Sequence, residues 1–167
     1  MKKSILILSM ALLSLSANAQ HDHASDAAEN ATSKQMAPMF EDKNMGLAYT
    51  SYIQLKEALV ASETKGAATA AAGLQKSLAA VSNSKSALGE AAKVAKAATL
   101  DDQRKAFVGL SNEMTALVKG SKLSMGTIYL DYCPMAKGSW LSNSKEIQNP
   151  YYGSKMLSCG SVKETIE

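Results

Sequence analysis

Histidine and cysteine are scarce in this chain of 167 residues, with two of each. Both histidines, His21 and His23, lie near the amino terminus, and both cysteines, Cys133 and Cys159, lie near the other end. The stretch that reads as folded therefore has no histidine, and no Ser-His or Cys-His catalytic pair can be assembled there. A Cys-x-x-Cys redox motif and a phosphate-binding glycine loop are missing too. Charge of one sign is not in excess: the net charge of +3 falls to +1 without Lys2 and Lys3, and there is no basic block. That removes the electrostatic footprint expected for nucleic acid or an anionic lipid surface. Past the first 19 residues no apolar run is long enough to cross a bilayer. The carboxylates fall mostly on polar helix faces. These absences argue against an enzyme, with thiol exchange by Cys133 and Cys159 the one reactive option, and they point toward binding.

What is present begins with a delivery signal. Lys2 and Lys3 form a charged n-region, Ile5 to Leu15 is a short apolar run, and Ala17-Asn18-Ala19 is a small-x-small cleavage site. Residues 1–19 read as a signal peptide, and the product is expected in the periplasm or secreted, where two cysteines tend to pair. Residues 20–43 read as a flexible tether, polar and without period over its first half. It carries His21-Asp22-His23, with Met36 and Met39 following and Met45 just beyond. His-x-His beside a free terminus suits Cu(II) or Zn(II). Cleavage after Gln20 rather than Ala19 would make His23 the third residue, the arrangement of a tight amino-terminal copper site. The alternative is two solvated histidines in a polar tail.

From residue 44 to 167 the chain reads as one helical domain. Ala48, Tyr52, Leu55 and Leu59 follow a 4-3-4 spacing on one helix face. Ser62 to Gly66 is a turn, and a second helix carries Ala67, Ala71, Leu74, Leu78 and Val81. Ser82-Asn83-Ser84 breaks it. A third, weaker segment from about Lys85 to Ala98 carries Leu88, Ala91, Ala95 and Ala98. Thr99 is an N-cap with Asp101 and Asp102 in the first turn, and Phe107, Leu110, Met114 and Leu117 mark the face of a fourth helix. Lys119-Gly120 ends it. The expected fold class is all-α, an antiparallel four-helix bundle. Thr127 to Tyr132 is β-prone but has no evident partner strand, and the remainder reads as irregular and turn-rich, with a last helical turn or strand at Ser161 to Glu167.

The chemistry gathers in residues 132–160. Pro134 holds Cys133 extended, so Cys133 and Met135 share a face. Met156 and Cys159, three apart, meet if their segment makes a helical turn. Two thiols and two thioethers folded into one site would select Cu(I), with Ag(I) as a chemical mimic, and Trp140 would shield the ion. Zinc fits less well, with no histidine or further cysteine nearby. The competing reading is a Cys133–Cys159 disulfide, which would close a loop of about 27 residues and add roughly 3.5 kcal/mol. The two are also readable as alternate redox states of one site, because metal binding needs reduced thiolates.

Tyr132-Cys133-Pro134-Met135, Trp140-Leu141-Ser142, Ile147 to Gly153 and Lys155 to Gly160 together resemble a domain-of-unknown-function family of secreted Gram-negative proteins. Similar domains are appended to periplasmic adaptor subunits of copper and silver efflux pumps. The resemblance covers about Met45 to Val162 and implies a helical domain with a copper- or heavy-metal-handling role and an efflux adaptor or other envelope protein as partner. Tyr-Cys-Pro-Met also resembles a short heavy-metal-binding motif that continues with His-Pro, where this chain has Ala136 and Lys137. The expectation is capture or hand-over of Cu(I) by Cys133, Met135, Met156 and Cys159, with His21, His23 and the nearby methionines as a collecting arm. The alternative is a disulfide-stapled helical interaction module without a metal.

Overall fold

The computed structural model describes residues 37–167, and the expectations for the signal peptide, His21, His23 and Met36 lie outside them. Strand β1 (Met39–Phe40) leads into four helices, α1 (Lys43–Val60), α2 (Thr64–Leu78), α3 (Lys85–Lys96) and α4 (Leu100–Lys119). Then come β2 (Leu123–Met125), β3 (Ile128–Cys133), β4 (Gly138–Ser142), a 3-10 turn at Gly153–Lys155, and β5 (Ser161–Ile166).

The helices start and stop for local reasons. Asp42 caps α1 by accepting from the Asn44 N–H, and the Thr99 hydroxyl accepts from the Asp102 N–H at the head of α4. Asp101 and Asp102 follow in the first turn of α4, where their charge complements the helix dipole. Ser62 and Asn83 take positive φ at the two sharpest breaks, which lets the short connections turn the chain back on itself. The helices pack in sequence order, each on the next, and α4 also packs on β4.

The faces of α1 and α2 follow the sequence pattern, with Ala48, Tyr52, Leu55, Leu59, Ala67, Ala71, Leu74 and Leu78 all buried. In α3 the buried line is Ala87, Ala91 and Val94 rather than Leu88, Ala91, Ala95 and Ala98, and the helix ends at Lys96. Alanine carries too little hydrophobic contrast to fix the rotation of that helix, and the branched Val94 decides it. On α4, Val118 is buried where Leu117 was expected.

The all-α expectation is corrected: the described residues are mixed α and β, four helices plus two antiparallel sheets. The β-prone stretch after Gly126 is the central strand of a three-stranded sheet in the order β4-β3-β5. Its partners are Gly138–Ser142, read as irregular, and Ser161–Ile166, read as a last helical turn or strand and found to be a strand. Both are short edge strands, one opening with glycine and serine and the other exposed along most of its length, so neither carries a strong two-residue alternation. The second sheet pairs β1 with β2, so Met39 and Phe40, within the stretch read as tether, join the end of α4 to the start of α1.

A row of aromatic rings ties the sheet to the bundle. Neighbouring ring centroids lie 5.5 to 6.4 Å apart along Phe40, Tyr49, Tyr52, Phe107 and Tyr151, and Trp140 meets Tyr151 edge-on at 5.9 Å. Such tilted and offset contacts are favourable beyond the area they bury. The Tyr52 hydroxyl lies 2.7 Å from the Ser111 hydroxyl and accepts the Leu141 backbone N–H at 3.1 Å. One phenol on α1 thereby links α4 to β4.

Candidate functional site

The register of the sheet brings the two cysteines together. Tyr132 on β3 pairs with Ser161 on β5, and Cys133 pairs with Gly138 on β4. Cys159, two residues before β5, therefore arrives beside the end of β3. The thiols are in contact, with Sγ to Sγ 3.2 Å. Both are free; Cys133 is buried and Cys159 half-buried. Gly160 makes the approach possible. Its φ is +146°, and a Cβ there would lie 2.8 Å from Cη2 of Trp140 and 3.0 Å from the Tyr132 carbonyl oxygen.

Asn149 holds the loop that delivers Cys159. Its Nδ2 donates to the Cys159 carbonyl at 2.7 Å, and its Oδ1 accepts the Tyr151 and Tyr152 backbone N–H groups. Its own backbone N–H donates to the Leu157 carbonyl. Arg104 fixes the other side of that loop, donating from Nε to the Pro150 carbonyl and from Nη2 to the Leu59 carbonyl and the Ser62 hydroxyl.

The two thiols differ electrostatically. Burial pushes the Cys133 thiol up, but hydrogen bonds from the Ala136 backbone, the Cys159 thiol, the Asn149 side chain and the Met135 backbone outweigh it, so Cys133 ends below the ordinary thiol range. Cys159 moves the other way, because its hydrogen bond to Cys133, its burial and the developing Cys133 charge all favour its protonated form. The shifts favour Cys133 over Cys159 as the first of the two to lose its proton. A thiolate is the nucleophilic and metal-binding form of cysteine.

The other sulfur candidates lie along the same turns. Met135 is largely exposed and borders a cleft of about 330 Å³ against α4, shared with Arg104, Lys105, Tyr151 and Tyr152. Met156 is half-buried, and its carbonyl accepts the Cys159 N–H at 3.1 Å. Met45, read with the collecting arm, has no exposed surface and belongs to the core. Trp140, expected near the sulfurs, is fully buried and packs on Tyr151. Among the described residues no group of three or more His, Cys, Asp or Glu side chains converges on one point.

Residues 48–126 match a family model, Protein of unknown function (DUF3347). The match runs from α1 through β2 and stops before β3, so the thiol pair lies outside it. No curated protein and no solved structure matches the chain. No helix among the described residues is long and apolar enough to cross a membrane.

Two residues that organise this region were not singled out by sequence reasoning, Arg104 and Asp131, and Asn149 entered only as part of the turn-like Ile147 to Gly153 run. Asn149 had a signal, because Asn-Pro followed by a glycine marks a turn in which the amide caps its own backbone. Arg104 sits on a helix that reads as amphipathic, where a charge is taken for a solvated face. Asp131 interrupts a β-prone run, and its side chain is fully buried.

Proposed function

We propose that this is an extracytoplasmic binding protein, not an enzyme, that takes up Cu(I) at the reduced Cys133–Cys159 pair and holds it or passes it to an efflux system. The observation that carries the reading is the 3.2 Å contact between the two sulfurs, with the Cys133 thiol drawn below its ordinary pKa. Two sulfur donors already in contact, one of them poised as a thiolate, form a soft ligand pair at little reorganisation cost. Met135 and Met156 flank the pair in the chain and are assigned as auxiliary thioether ligands, with His21 and His23 as an upstream collecting site. The sequence resemblance to domains appended to copper and silver efflux adaptors supports an adaptor or other envelope protein as the recipient.

A second reading rests on the same contact. Oxidation would join the two sulfurs, with two electrons and two protons leaving to an oxidant of the extracytoplasmic space, and leave a stapled helical module without a metal. Cu(I) titration of reduced protein against a competing chelator separates the readings. The wild type should bind one Cu(I) through the pair, and Cys133→Ser and Cys159→Ser should each lose that binding. Unchanged Cu(I) affinity in both variants refutes the site. Thiol counts of zero on protein taken directly from its native compartment favour the staple.

A further inference from the structure

The β1–β2 ribbon has two unlike faces. Phe40 and Leu123 are register partners, Phe40 buried against Tyr49 and Leu123 half-buried, and a register shift next to this pair separates it from the more exposed pair that follows. Met39 and Met125 are register partners on the outer side, 55% and 45% exposed. The outer face of a ribbon half-covered by a core ordinarily carries polar side chains. Here it carries two thioethers directly opposite each other, while Met45 and Met114 are fully buried and explained by packing.

We propose that Met39 and Met125 form a second soft-metal site on the surface, a two-thioether clamp for Cu(I) or Ag(I). A register shift between Met39 and Phe40 interrupts the regular ladder, but Met39 and Met125 remain partners across the two strands, and paired strands lie about 5 Å apart. Methionine's unbranched, rotatable side chain lets both sulfurs turn onto one ion between them. Thioether sulfur selects monovalent soft ions over zinc, calcium or magnesium. Only two ligands come from this chain and the site faces solvent, so coordination positions stay open to a ligand from a donor or acceptor. That suits rapid exchange, whereas the buried thiols suit retention. The ribbon is a separate sheet that contains neither cysteine, so the clamp does not depend on the thiol reading.

Full-length reduced protein labelled at its methionine methyl groups with carbon-13 provides the test, titrated with Ag(I) and read by NMR. The Met39 and Met125 methyl signals, assigned through the Met39→Leu and Met125→Leu variants, should shift together while those of Met45 and Met114 stay in place. If the thiols bind first, the joint shift comes with the second equivalent of Ag(I); if the thiol site fails, it comes with the first. In either single variant the remaining methionine should need about tenfold more Ag(I) or higher, as expected when a second ligand held within reach is removed. Absence of the joint shift overturns the proposal. So does an unchanged response of the remaining methionine in a single variant, or a Met39 shift accompanied by Met36 and not by Met125.

Discussion

Replacing Asp131 by asparagine probes how the sheet is seated on the bundle. The Asp131 side chain has no exposed surface, and neither carboxylate oxygen has a hydrogen-bond partner. The Trp140 indole nitrogen, on its partner across the ladder, is also unpartnered, so it helps the carboxylate as a nearby dipole rather than through a formed hydrogen bond. Burial pushes the Asp131 pKa up from 3.8 to about 6, and the opposing pulls of the Lys56 charge and the Trp140 indole do not cancel it. The folded protein therefore holds this proton more tightly than the unfolded chain. The contribution to stability is whole below about pH 3.8, is lost as the pH rises toward 6, and stays lost above it. At 1.36 kcal/mol per pH unit, the rise from 3.8 to about 6 sets an upper limit of about 3 kcal/mol. Relaxation of the surroundings around a buried charge lowers the effective penalty, so about 2 kcal/mol is expected. Asp131→Asn keeps the shape and removes the titration. Urea unfolding followed by fluorescence of Trp140, the only tryptophan, should show the variant gaining about 2 kcal/mol on the wild type between pH 4 and pH 7.5. Asp102, whose pKa is lowered by its Thr99 hydrogen bond and by Lys105, titrates in both proteins and drops out of the difference. A difference that does not change between those pH values refutes the reasoning.

Two further outcomes follow from the geometry. At Gly153 φ is +56°, and a Cβ would lie 2.7 Å from Nη2 of Arg104 and 2.8 Å from both the Ser62 hydroxyl and the Val60 carbonyl. Gly153→Ala should cost about 2–4 kcal/mol in urea unfolding, from the positive φ and the forced displacement of the buried guanidinium; a cost below about 1 kcal/mol would show that the loop yields freely. Thiolate absorbance during a pH titration of the reduced protein should rise in two separate steps, the first below the ordinary thiol range from Cys133 and the second above it from Cys159. Cys133→Ser should abolish the first step, and one shared step at the ordinary thiol pKa would contradict the asymmetric pair.

The bundle was legible because its signals are local. Thr99 with Asp101 and Asp102, the Leu74 and Leu78 spacing, and Gly120 at the end of α4 each act within one or two helical turns, so a window of the sequence contains the whole cause. The rotation of α3 was not legible, since its alanines satisfy more than one face. The sheet was half legible. Ile128 to Cys133 reads as a strand on its own composition, but β4 and β5 are strands because β3 lies between them, and no window around Ser161 to Ile166 contains that fact.

The same distinction governs the site. The sequence shows that both cysteines lie near methionines and turn residues, but it leaves open how a separation of 26 residues closes. The closure comes from pairing Tyr132 with Ser161, from Gly160 letting the chain pass Trp140, and from Asn149 gripping the Cys159 carbonyl. None of these is a sulfur residue, and each acts between segments distant in the chain. They also make the pair asymmetric. Cys133 ends a strand and receives the backbone amides of the Met135–Ala136 turn, whereas Cys159 sits in the loop and is held toward its protonated form. A symmetric pair of buried thiols would favour the neutral forms, and a staple would need nothing more than proximity. Donors aimed at one sulfur stabilise a charge on it, and a stabilised thiolate is what a soft cation binds. A thiolate is equally the nucleophile that starts disulfide formation, so the redox state of the pair decides between metal and staple.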